Sequence, residues 1–333
     1  MKVVILRTDR IGDLVLAEPL IEALHSIYAN ICVDVVASEY AAPVLYENPL
    51  VSKILALKER NIRCVMSMVE EVSKGGYDIS ITVDTSPISY LIPFLAGVRI
   101  RVGQGRRLWG FTLNKPVFFS RRCSDLHEVI LNQLLLKPFG YSPSLVRPRL
   151  FLSPIEVENA RRMIEDFGFE MSKKVIVMHP GSLGSSAEPP FNLYYRLCEM
   201  LGSRFQVMVC GQKGVDNLEI FTGIEGVRVI DDMNIREYMG LISQSDLFVG
   251  GDTGPMHIAS AMNIPVVAIF SPIPDCGPQR WGPLSDRYAV YMPSLSECNG
   301  ECSRCKLFNC MEKLKIDDII TGVVRLLDNR GGK

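Results

Sequence analysis

Short apolar segments alternate with amphipathic segments along the first half of the chain. Residues 3–6, 31–37, 78–83 and, more weakly, 99–102 are apolar runs of strand length. After the first run, apolar residues recur every three or four positions, which predicts a helix over residues 14–27. Strands that alternate with helices in this way predict βαβ units and a parallel sheet.

The alternation begins again after residues 138–154, a segment with four prolines that we interpret as a linker. Further strands are predicted at 174–179, 206–210, 227–230, 247–250 and 266–270, and helices at 156–167, 193–201 and 316–327. The sequence therefore predicts an α/β fold of two Rossmann-like domains, 1–150 and 151–333. Ligands of open α/β sheets bind beyond the carboxyl ends of the strands, so we expect the two domains to face one another across a cleft.

Composition adds a charge asymmetry to this picture. Apolar residues make up 47% of the chain and charged residues 22%, values that exclude a disordered protein. The net charge of -1 excludes a general polyanion binder. However, residues 1–150 hold 18 basic against 14 acidic residues, and residues 151–333 hold 18 against 23.

We find no secretory leader and no apolar run of membrane-spanning length, so we expect a cytoplasmic protein with reduced thiols.

Several well-known motifs are missing. The glycine pair at Gly103 and Gly105 lacks the third glycine of a dinucleotide-binding fingerprint. There is no P-loop, no paired histidine motif of a zinc protease and no Gly-x-Ser-x-Gly elbow. These absences weigh against a dehydrogenase, an ATPase, a metalloprotease and an α/β-hydrolase.

An acidic motif joins the first predicted strand to the first helix. It comprises residues 7–14, in which Gly12 permits a tight turn and Asp13 falls in the first helical turn. Asp13 either complements the helix dipole or serves as a general base at the end of a strand.

Two turns of the second half contain groups suited to phosphate. After His179 and Pro180 come Gly181 and Ser182, which form either an ordinary turn or a phosphate-binding turn. Residues 250–259 place glycines before a helix whose cap we expect at Asp252 or Thr253. In this segment Gly254 opens the backbone to an anion and His257 falls in the first turn; the alternative is a capped helix with a packed histidine.

These motifs together resemble glycosyltransferase family 9, the lipopolysaccharide heptosyltransferases and their relatives. The segments that carry the resemblance are the opening motif at 7–13, the turn at 179–182, the segment at 252–257, the strand at 264–272, and Arg280-Trp281-Gly282-Pro283. The resemblance covers essentially the whole chain. It implies a GT-B fold, with an acceptor-binding domain at 1–150 and a donor-binding domain at 151–333.

The resemblance also implies an inverting transfer of a sugar, with heptose expected, from an ADP-sugar to a lipopolysaccharide core or related glycan, without a cofactor or metal. Asp13 matches the catalytic base, and Gly12, Arg106 and Arg107 are expected at the acceptor. The positions matched to donor binding are Gly181, Ser182, Met233, Asp252, Thr253, Gly254 and His257.

One departure from the family concerns the leaving group. Where the family carries Lys or Arg followed by Trp-Pro, this chain has Ala187 and Glu188 before two prolines. Either another cation such as Arg280 or Lys213 replaces the missing one, or the donor differs, or the activity is lost. Two alternatives to a transferase therefore stay open, a GT-B nucleotide-sugar epimerase and a degenerate paralogue that only binds nucleotide or glycan.

A basic segment distinguishes the first half. Residues 99–122 hold seven Lys and Arg, no acidic residue, and interleaved aromatics. The segment is either a solvated surface, a nucleic-acid site, or a surface attracted to an anionic glycolipid acceptor and the inner membrane face. Because no nucleic-acid-binding motif accompanies it, we expect no nucleic acid as a partner and favour the last of these.

Four of the ten cysteines crowd into residues 298–310, at Cys298, Cys302, Cys305 and Cys310. Four thiolates suit zinc or an iron–sulfur cluster, but the spacing departs from paired Cys-x2-Cys motifs. Simple packing and redox-labile thiols are the other interpretations. Because the resemblance requires no metal, we predict none.

Overall fold

The computed structural model describes residues 1–121, 124–181, 189–212, 217–294 and 309–328. The chain divides into two compact units, Met1–Phe151 and Leu152–Lys333. Each unit contains one sheet of six parallel strands with connecting helices, which confirms the predicted α/β class and its two Rossmann-like sheets.

The strands of the first unit are β1 (Lys2–Arg7), β2 (Cys32–Ser38), β3 (Lys53–Leu57), β4 (Ile79–Thr82), β5 (Ile100–Gln104) and β6 (Lys115–Val117). They form a sheet with the order β3-β2-β1-β4-β5-β6. Alternate residues of β1 pack into two different apolar clusters: Val3 and Ile5 belong to one, and Val4 and Leu6 belong to the other. Both faces of this sheet are therefore covered, as its continuous apolar strands require.

The predicted helix at 14–27 is in fact two helices. Pro19 has no N–H to donate to the carbonyl of Val15, so the chain breaks at Leu16 and Ala17. The helices of this unit are α1 (Ile11–Val15), α2 (Glu18–Ile27), α3 (Ile62–Gly75), α4 (Pro87–Leu95) and α5 (Glu128–Gln133), with 3-10 helices at Ala42–Leu45, Leu108–Thr112 and Leu134–Phe139.

The strands of the second unit are β7 (Val175–His179), β8 (Gln206–Cys210), β9 (Val227–Ile230), β10 (Leu247–Gly251), β11 (Val266–Ile269) and β12 (Tyr288–Tyr291). Their order in the sheet is β12-β11-β10-β7-β8-β9, so the first strand of this unit also lies in the interior of its sheet. Its helices are α6 (Pro154–Asp166), α7 (Phe191–Gly202), α8 (Ile235–Ser243), α9 (Gly254–Ala261), α10 (Pro278–Trp281) and α11 (Ile316–Asp328), with 3-10 helices at Leu218–Phe221, Pro274–Cys276 and Asn309–Lys313.

Local sequence explains where the best-defined helices begin. Ser153 and Glu156 form a capping box at the start of α6, and Asn234 and Glu237 form another at α8.

Throughout the described ranges, every helix is too short or too polar to span a membrane.

Candidate functional site

Each sheet has a point at which the strand order reverses, and the candidate motifs lie there. In the first unit β1 lies between β2 and β4, and in the second unit β7 lies between β8 and β10. Within each sheet, the loops after the two strands at the reversal point, β1 and β4 or β7 and β10, therefore leave towards opposite faces and open a crevice at the carboxyl edge. The motif that contains Asp13 follows β1, and the turn that contains Gly181 follows β7.

Asp13 is held at this edge by a buried arginine. It lies in the first turn of α1, and its side chain is 19% exposed. The guanidinium Nη2 of Arg7, the last residue of β1, donates to Asp13 Oδ1. Gly12 is buried beside it, and its carbonyl accepts from the backbone N–H of Leu16 at 3.0 Å. The carboxylate is thus fixed in position while it keeps access to solvent.

Arg7 is the centre of a larger group of charges. It is 3% exposed, its Nε lies 2.9 Å from Asp9 Oδ1, and its Nη1 donates to the carbonyl of Val83 at 3.3 Å. Burial acts to lower the pKa of Arg7, but Asp13 and the neighbouring carboxylates raise it overall, so the cation is retained. In the sequence Arg7 stands out only as part of the motif at 7–14, and nothing nearby in the chain indicates this role.

A second buried ion pair lies behind Arg7. Arg121 donates to Glu128 Oε1, to the carbonyl of Val83 at 3.0 Å and to Asn132 Oδ1 at 3.0 Å. Glu128 is 1% exposed and also lies 3.8 Å from Arg7 Nη2. The network therefore joins the ends of β1 and β4 to α5.

Asp84, just after β4, fixes the backbone of the same region. Its Oδ2 accepts from the N–H of Thr8 at 2.7 Å and from Ser89 Oγ at 2.7 Å, and its Oδ1 accepts from the N–H of Ser86 at 2.9 Å. A buried carboxylate that accepts several hydrogen bonds orders the loops on either side of it. Asp84 therefore fixes the loop after β4 against the residue that follows Arg7.

A cavity of about 420 Å³ lies next to the Asp13 turn. Its lining includes Asp9, Arg10, Tyr40 and Arg60, so it combines cations with an aromatic ring. The guanidinium of Arg60 donates to the carbonyl of Thr8 at 2.8 Å, which fixes one wall of the cavity to the turn. Arg60 was not predicted from the sequence, because no motif lies near it in the chain.

Asp9 makes the stability of this turn sensitive to pH. Burial raises the pKa of Asp9 to about 7, against the opposing effect of Arg7, and the carboxylates of Asp13 and Asp84 raise it further. A carboxyl group that binds its proton more tightly when folded stabilises the fold at low pH. This contribution should be lost as the pH rises from about 4 to about 7.

We therefore expect the substitution Asp9→Asn to change the pH dependence of folding. The free energy of unfolding of the variant, relative to the wild type, should rise between about pH 5 and about pH 8, because asparagine carries no charge to bury. Urea unfolding at both pH values measures this difference. A difference that stays constant across the range would contradict the assignment.

The two arginines predicted at the acceptor lie at the same edge of the first sheet. Arg106 and Arg107 follow β5 and are both exposed, and Arg107 Nε donates to Gln104 Oε1 at 3.1 Å. Only β4 separates β5 from β1 in the sheet. The structure therefore places these arginines and Asp13 at the ends of nearby strands.

In the second unit the two predicted phosphate turns leave from adjacent strands, since His179 is paired with Gly250 in register. Tyr238 Oη lies 3.1 Å from His179 Nδ1. A Cβ at position 250 would lie 2.8 Å from the Phe248 ring and 3.1 Å from the carbonyl of His179, so the close approach requires glycine. Gly181 is buried in this turn.

Some predicted residues of this region lie outside the described residues. Ser182, Ala187 and Glu188 fall in residues 182–188, and Lys213 falls in residues 213–216. Two predictions therefore rest on the sequence alone. They are the donor-binding role of Ser182 and the absence of the family's Lys or Arg at the leaving group. Met233 is described, and it is half-buried just after β9, on the carboxyl side of the sheet.

The predicted side-chain cap of α9 is wrong. Thr253 occupies the N-cap position, but within the described chain neither it nor another side chain accepts from the first-turn N–H groups. Its hydroxyl lies 3.5 Å from the carbonyl of Gly251 instead. Gly254 is the first helical residue. An uncapped helix N-terminus presents N–H donors and a positive dipole end, which suit an anion.

His257 lies in the first turn of α9 and is 4% exposed. Its Nε2 lies 3.5 Å from Asp252 Oδ1, and its buried Nδ1 has no hydrogen-bond partner among the described residues. The Trp281 ring lies 6.3 Å from the histidine ring, and the Arg280 guanidinium lies 4.6 Å from the Trp281 ring. Arg280 thus lies over an aromatic ring that is itself near the histidine of the first turn of α9.

The cysteine cluster lies mostly outside the described residues. Cys298, Cys302 and Cys305 fall in residues 295–308, whereas Cys310 is half-buried in the 3-10 helix Asn309–Lys313 and packs against the apolar core. Among the described residues, no three His, Cys, Asp or Glu side chains come together as a metal site would require.

The family model "Glycosyltransferase family 9 (heptosyltransferase)" matches residues 65–312. The chain is 24% identical to lipooligosaccharide heptosyltransferase 2 of Haemophilus influenzae, over 87% of this chain and 88% of that protein. The glycosyltransferase family 9 structure from Veillonella parvula superposes with a TM-score of 0.82 at 17% identity, covering 98% and 97% of the two chains.

The structure of the Escherichia coli ADP-heptose lipopolysaccharide heptosyltransferase II superposes with a TM-score of 0.79 at 20% identity, covering 98% of each chain. The fold is therefore the GT-B fold of these enzymes. The match of the family model across most of the sequence shows that the chain belongs to glycosyltransferase family 9, the heptosyltransferase family.

Proposed function

We propose that this glycosyltransferase transfers heptose from ADP-heptose to a lipopolysaccharide or lipooligosaccharide core acceptor, with inversion at the anomeric carbon. The observation that carries the proposal is the half-buried carboxylate of Asp13, held by Arg7 at the reversal point of the first sheet. The sugar, nucleotide and acceptor follow the names of the related heptosyltransferases.

Asp13 acts as the general base in this mechanism. Its carboxylate accepts the proton of the acceptor hydroxyl, and the acceptor oxygen forms a bond to the anomeric carbon. The bond between that carbon and the diphosphate oxygen breaks, and ADP leaves with the electron pair. A single displacement attacks from the face opposite the leaving group, so the configuration inverts. No cofactor or metal is needed in this scheme.

The first unit binds the acceptor in this proposal. Gly12 allows close backbone approach beside Asp13, and Arg106 and Arg107 bind anionic groups of a glycolipid. The cavity beside the turn adds Arg10 and Arg60, so the carboxyl edge carries several cations. A core oligosaccharide that carries carboxylates or phosphates suits such an edge. We place the reaction in the cytoplasm, where a nucleotide sugar is available.

The second unit holds the donor. The diphosphate lies against the N-terminus of α9, where Thr253 and Gly254 present N–H donors. His257 Nδ1 is a buried group that still needs a partner, and a phosphate or ribose oxygen supplies one. Asp252 orients that histidine through its contact with Nε2. Gly181 and Ser182 complete the phosphate site, and Met233 packs near the adenine.

Arg280 takes the place of the missing leaving-group cation. We expect Arg280→Ala to lower kcat on the order of 100-fold, because a cation aimed at the departing diphosphate acts chiefly in the transition state. Arg280→Lys should recover only part of the rate, since lysine keeps the charge but loses the planar stacking on Trp281. Steady-state kinetics with saturating donor measures both.

Arg204 offers a matched control. Its guanidinium lies 5.4 Å from the Phe205 ring, so it is also an arginine over an aromatic ring, but it precedes β8 and lies at the opposite edge of the sheet. Arg204→Ala should leave kcat near the wild-type value. Equal losses in the two alanine variants would contradict the role of Arg280.

The donor and the stereochemistry can be tested together. The protein is incubated with an acceptor glycan and with ADP-, UDP- or GDP-linked sugars, and the product linkage is determined by NMR. We expect transfer from ADP-heptose in preference to the others, with the anomeric configuration opposite to that of the donor. Preference for another nucleotide, or retention of configuration, would overturn this assignment.

A further inference from the structure

An exposed apolar surface lies next to the predicted acceptor arginines. Leu108 is 83% exposed, Phe111 68% and Phe118 66%. Together with the half-buried Trp109, these residues are here called the Leu108 surface. Single exposed apolar residues are ordinary, but a contiguous exposed group indicates an interaction site.

Close backbone approaches hold the Leu108 surface together. A Cβ at position 105 would lie 2.6 Å from the Phe118 ring, and one at position 110 would lie 2.7 Å from the carbonyl of Gly105. The two glycines thus let Phe118 and the 3-10 helix Leu108–Thr112 pack against the same turn after β5. Phe111 also packs near two other aromatic rings, since its ring lies 6.1 Å from the Trp109 ring and 6.4 Å from the Phe94 ring.

Positive charge lies directly beside these apolar side chains. Arg106 and Arg107 immediately precede Leu108 at the carboxyl end of β5, and both are exposed. Residues 85–124 contain seven basic residues and no acidic residue. Arg121 belongs to the buried network with Glu128 and so adds nothing to this surface.

We infer that the Leu108 surface docks the protein onto an anionic lipid membrane. Leucine and phenylalanine side chains enter the boundary between headgroups and acyl chains, while Arg106 and Arg107 bind lipid phosphates. A hydrated glycan or a nucleic acid would account for the arginines. Neither would account for an exposed leucine and two exposed phenylalanines at the same place.

This inference rests on the proposed function, because docking would serve to bring the enzyme to a glycolipid acceptor that is itself embedded in a membrane. The Leu108 surface begins at the carboxyl ends of β5 and β6, and Asp13 follows β1 at the same edge. Strands are spaced about 4.8 Å apart, so β1 and β5 are separated by about 10 Å across the sheet. Docking through this surface therefore keeps Asp13 close to the headgroup layer, where the acceptor sugar lies.

Vesicle binding tests the inference directly. The chain has two tryptophans, Trp109 and Trp281, so a Trp281→Phe protein reports on Trp109 alone. With phosphatidylglycerol vesicles we expect co-flotation, a blue shift of Trp109 emission, and affinity that falls as salt rises. Vesicles of phosphatidylcholine should bind weakly. Absence of flotation with phosphatidylglycerol at low salt would overturn the inference.

Variants separate the charged and apolar contributions. Arg106→Ala/Arg107→Ala should weaken binding about fivefold for each arginine removed. Leu108→Ser/Phe111→Ser should abolish the blue shift of Trp109. The controls are Arg161→Ala/Arg162→Ala, an adjacent exposed pair on α6, and Ile155→Ser, which removes a residue that is 68% exposed. Losses in the controls equal to those in the test variants would overturn the assignment to this surface.

Two further results distinguish a membrane from a glycan and from failure of the proposed function. Leu108→Ser/Phe111→Ser should transfer sugar normally to a deacylated, water-soluble acceptor but poorly to the same acceptor in vesicles. Full displacement of the protein from acceptor-free vesicles by the deacylated acceptor would show that the surface binds glycan, and would overturn the inference. If no sugar is transferred at all but vesicle binding behaves as expected, the proposed function fails and the docking surface stands.

Discussion

Replacing Asp13 with asparagine should lower kcat by roughly 10²- to 10⁴-fold, the usual contribution of a general base. Asparagine has nearly the same shape and can still accept from Arg7, so the turn after β1 should keep its conformation. It cannot take the proton of the acceptor hydroxyl. The affinity for ADP should stay unchanged, since the proposed nucleotide site is built from residues of the second unit.

Initial-rate kinetics and calorimetric ADP binding together measure this result. The Arg204→Ala control described above shows how much kcat and the affinity for ADP change after a surface substitution. An Asp13→Asn protein that keeps a tenth or more of the wild-type kcat would contradict the base assignment. Loss of ADP binding in that variant would mean that the change had disturbed more than proton transfer.

Replacing Arg7 with methionine should give the largest loss of stability. The free energy of unfolding should fall by roughly 3–5 kcal/mol, because Asp13 and Glu128 would lose a buried cation. Chemical denaturation at neutral pH measures the loss. The double variant Arg7→Met/Asp13→Asn should lose less than the sum of the single variants, since asparagine leaves no unpaired charge at position 13.

We assign Arg7 the role of a residue that positions Asp13. The substitution Arg7→Lys distinguishes this role from one that only stabilises the fold. Arg7→Lys keeps the charge but has one nitrogen where arginine has three, so it cannot bind Asp9, Asp13 and the Val83 carbonyl together. We expect Arg7→Lys to recover most of the stability while kcat stays low and the donor KM stays near wild type. Full recovery of kcat by lysine would restrict Arg7 to a structural role.

The sequence pattern identified the central strands because they are apolar on both faces. Every residue of β4 is buried, for example, and such runs are visible without knowledge of the fold. The pattern does not indicate the edge strands β3, β6 and β12, and only one of the four residues of β12 is buried. β3 begins at an exposed lysine and alternates between exposed and buried positions, and β6 has only three residues with a proline in the middle. Edge strands are less buried and have weaker patterns.

The candidate site was predictable where its residues are neighbours in sequence. The segment from Asp252 to His257 and the motif containing Asp13 each fall within a few residues, so spacing and turn chemistry identify them. The partners of Arg7 could not be predicted in this way, because they are distant in sequence. Val83 lies 76 residues from Arg7, and Glu128 lies farther still. Such contacts arise only when β1, β4 and α5 come together, and the local sequence of Arg121 and Glu128 does not mark them as a pair.

Release of ADP from ADP-heptose, measured with and without a lipopolysaccharide core acceptor, is the most direct test of the central claim. We expect ADP to appear only when the acceptor is present, with one sugar transferred for each ADP released. Conversion of the donor without an acceptor would indicate an epimerase or hydrolase instead. Binding of both ligands with no ADP release would identify a protein that binds nucleotide and glycan without transferring sugar, and would contradict the account.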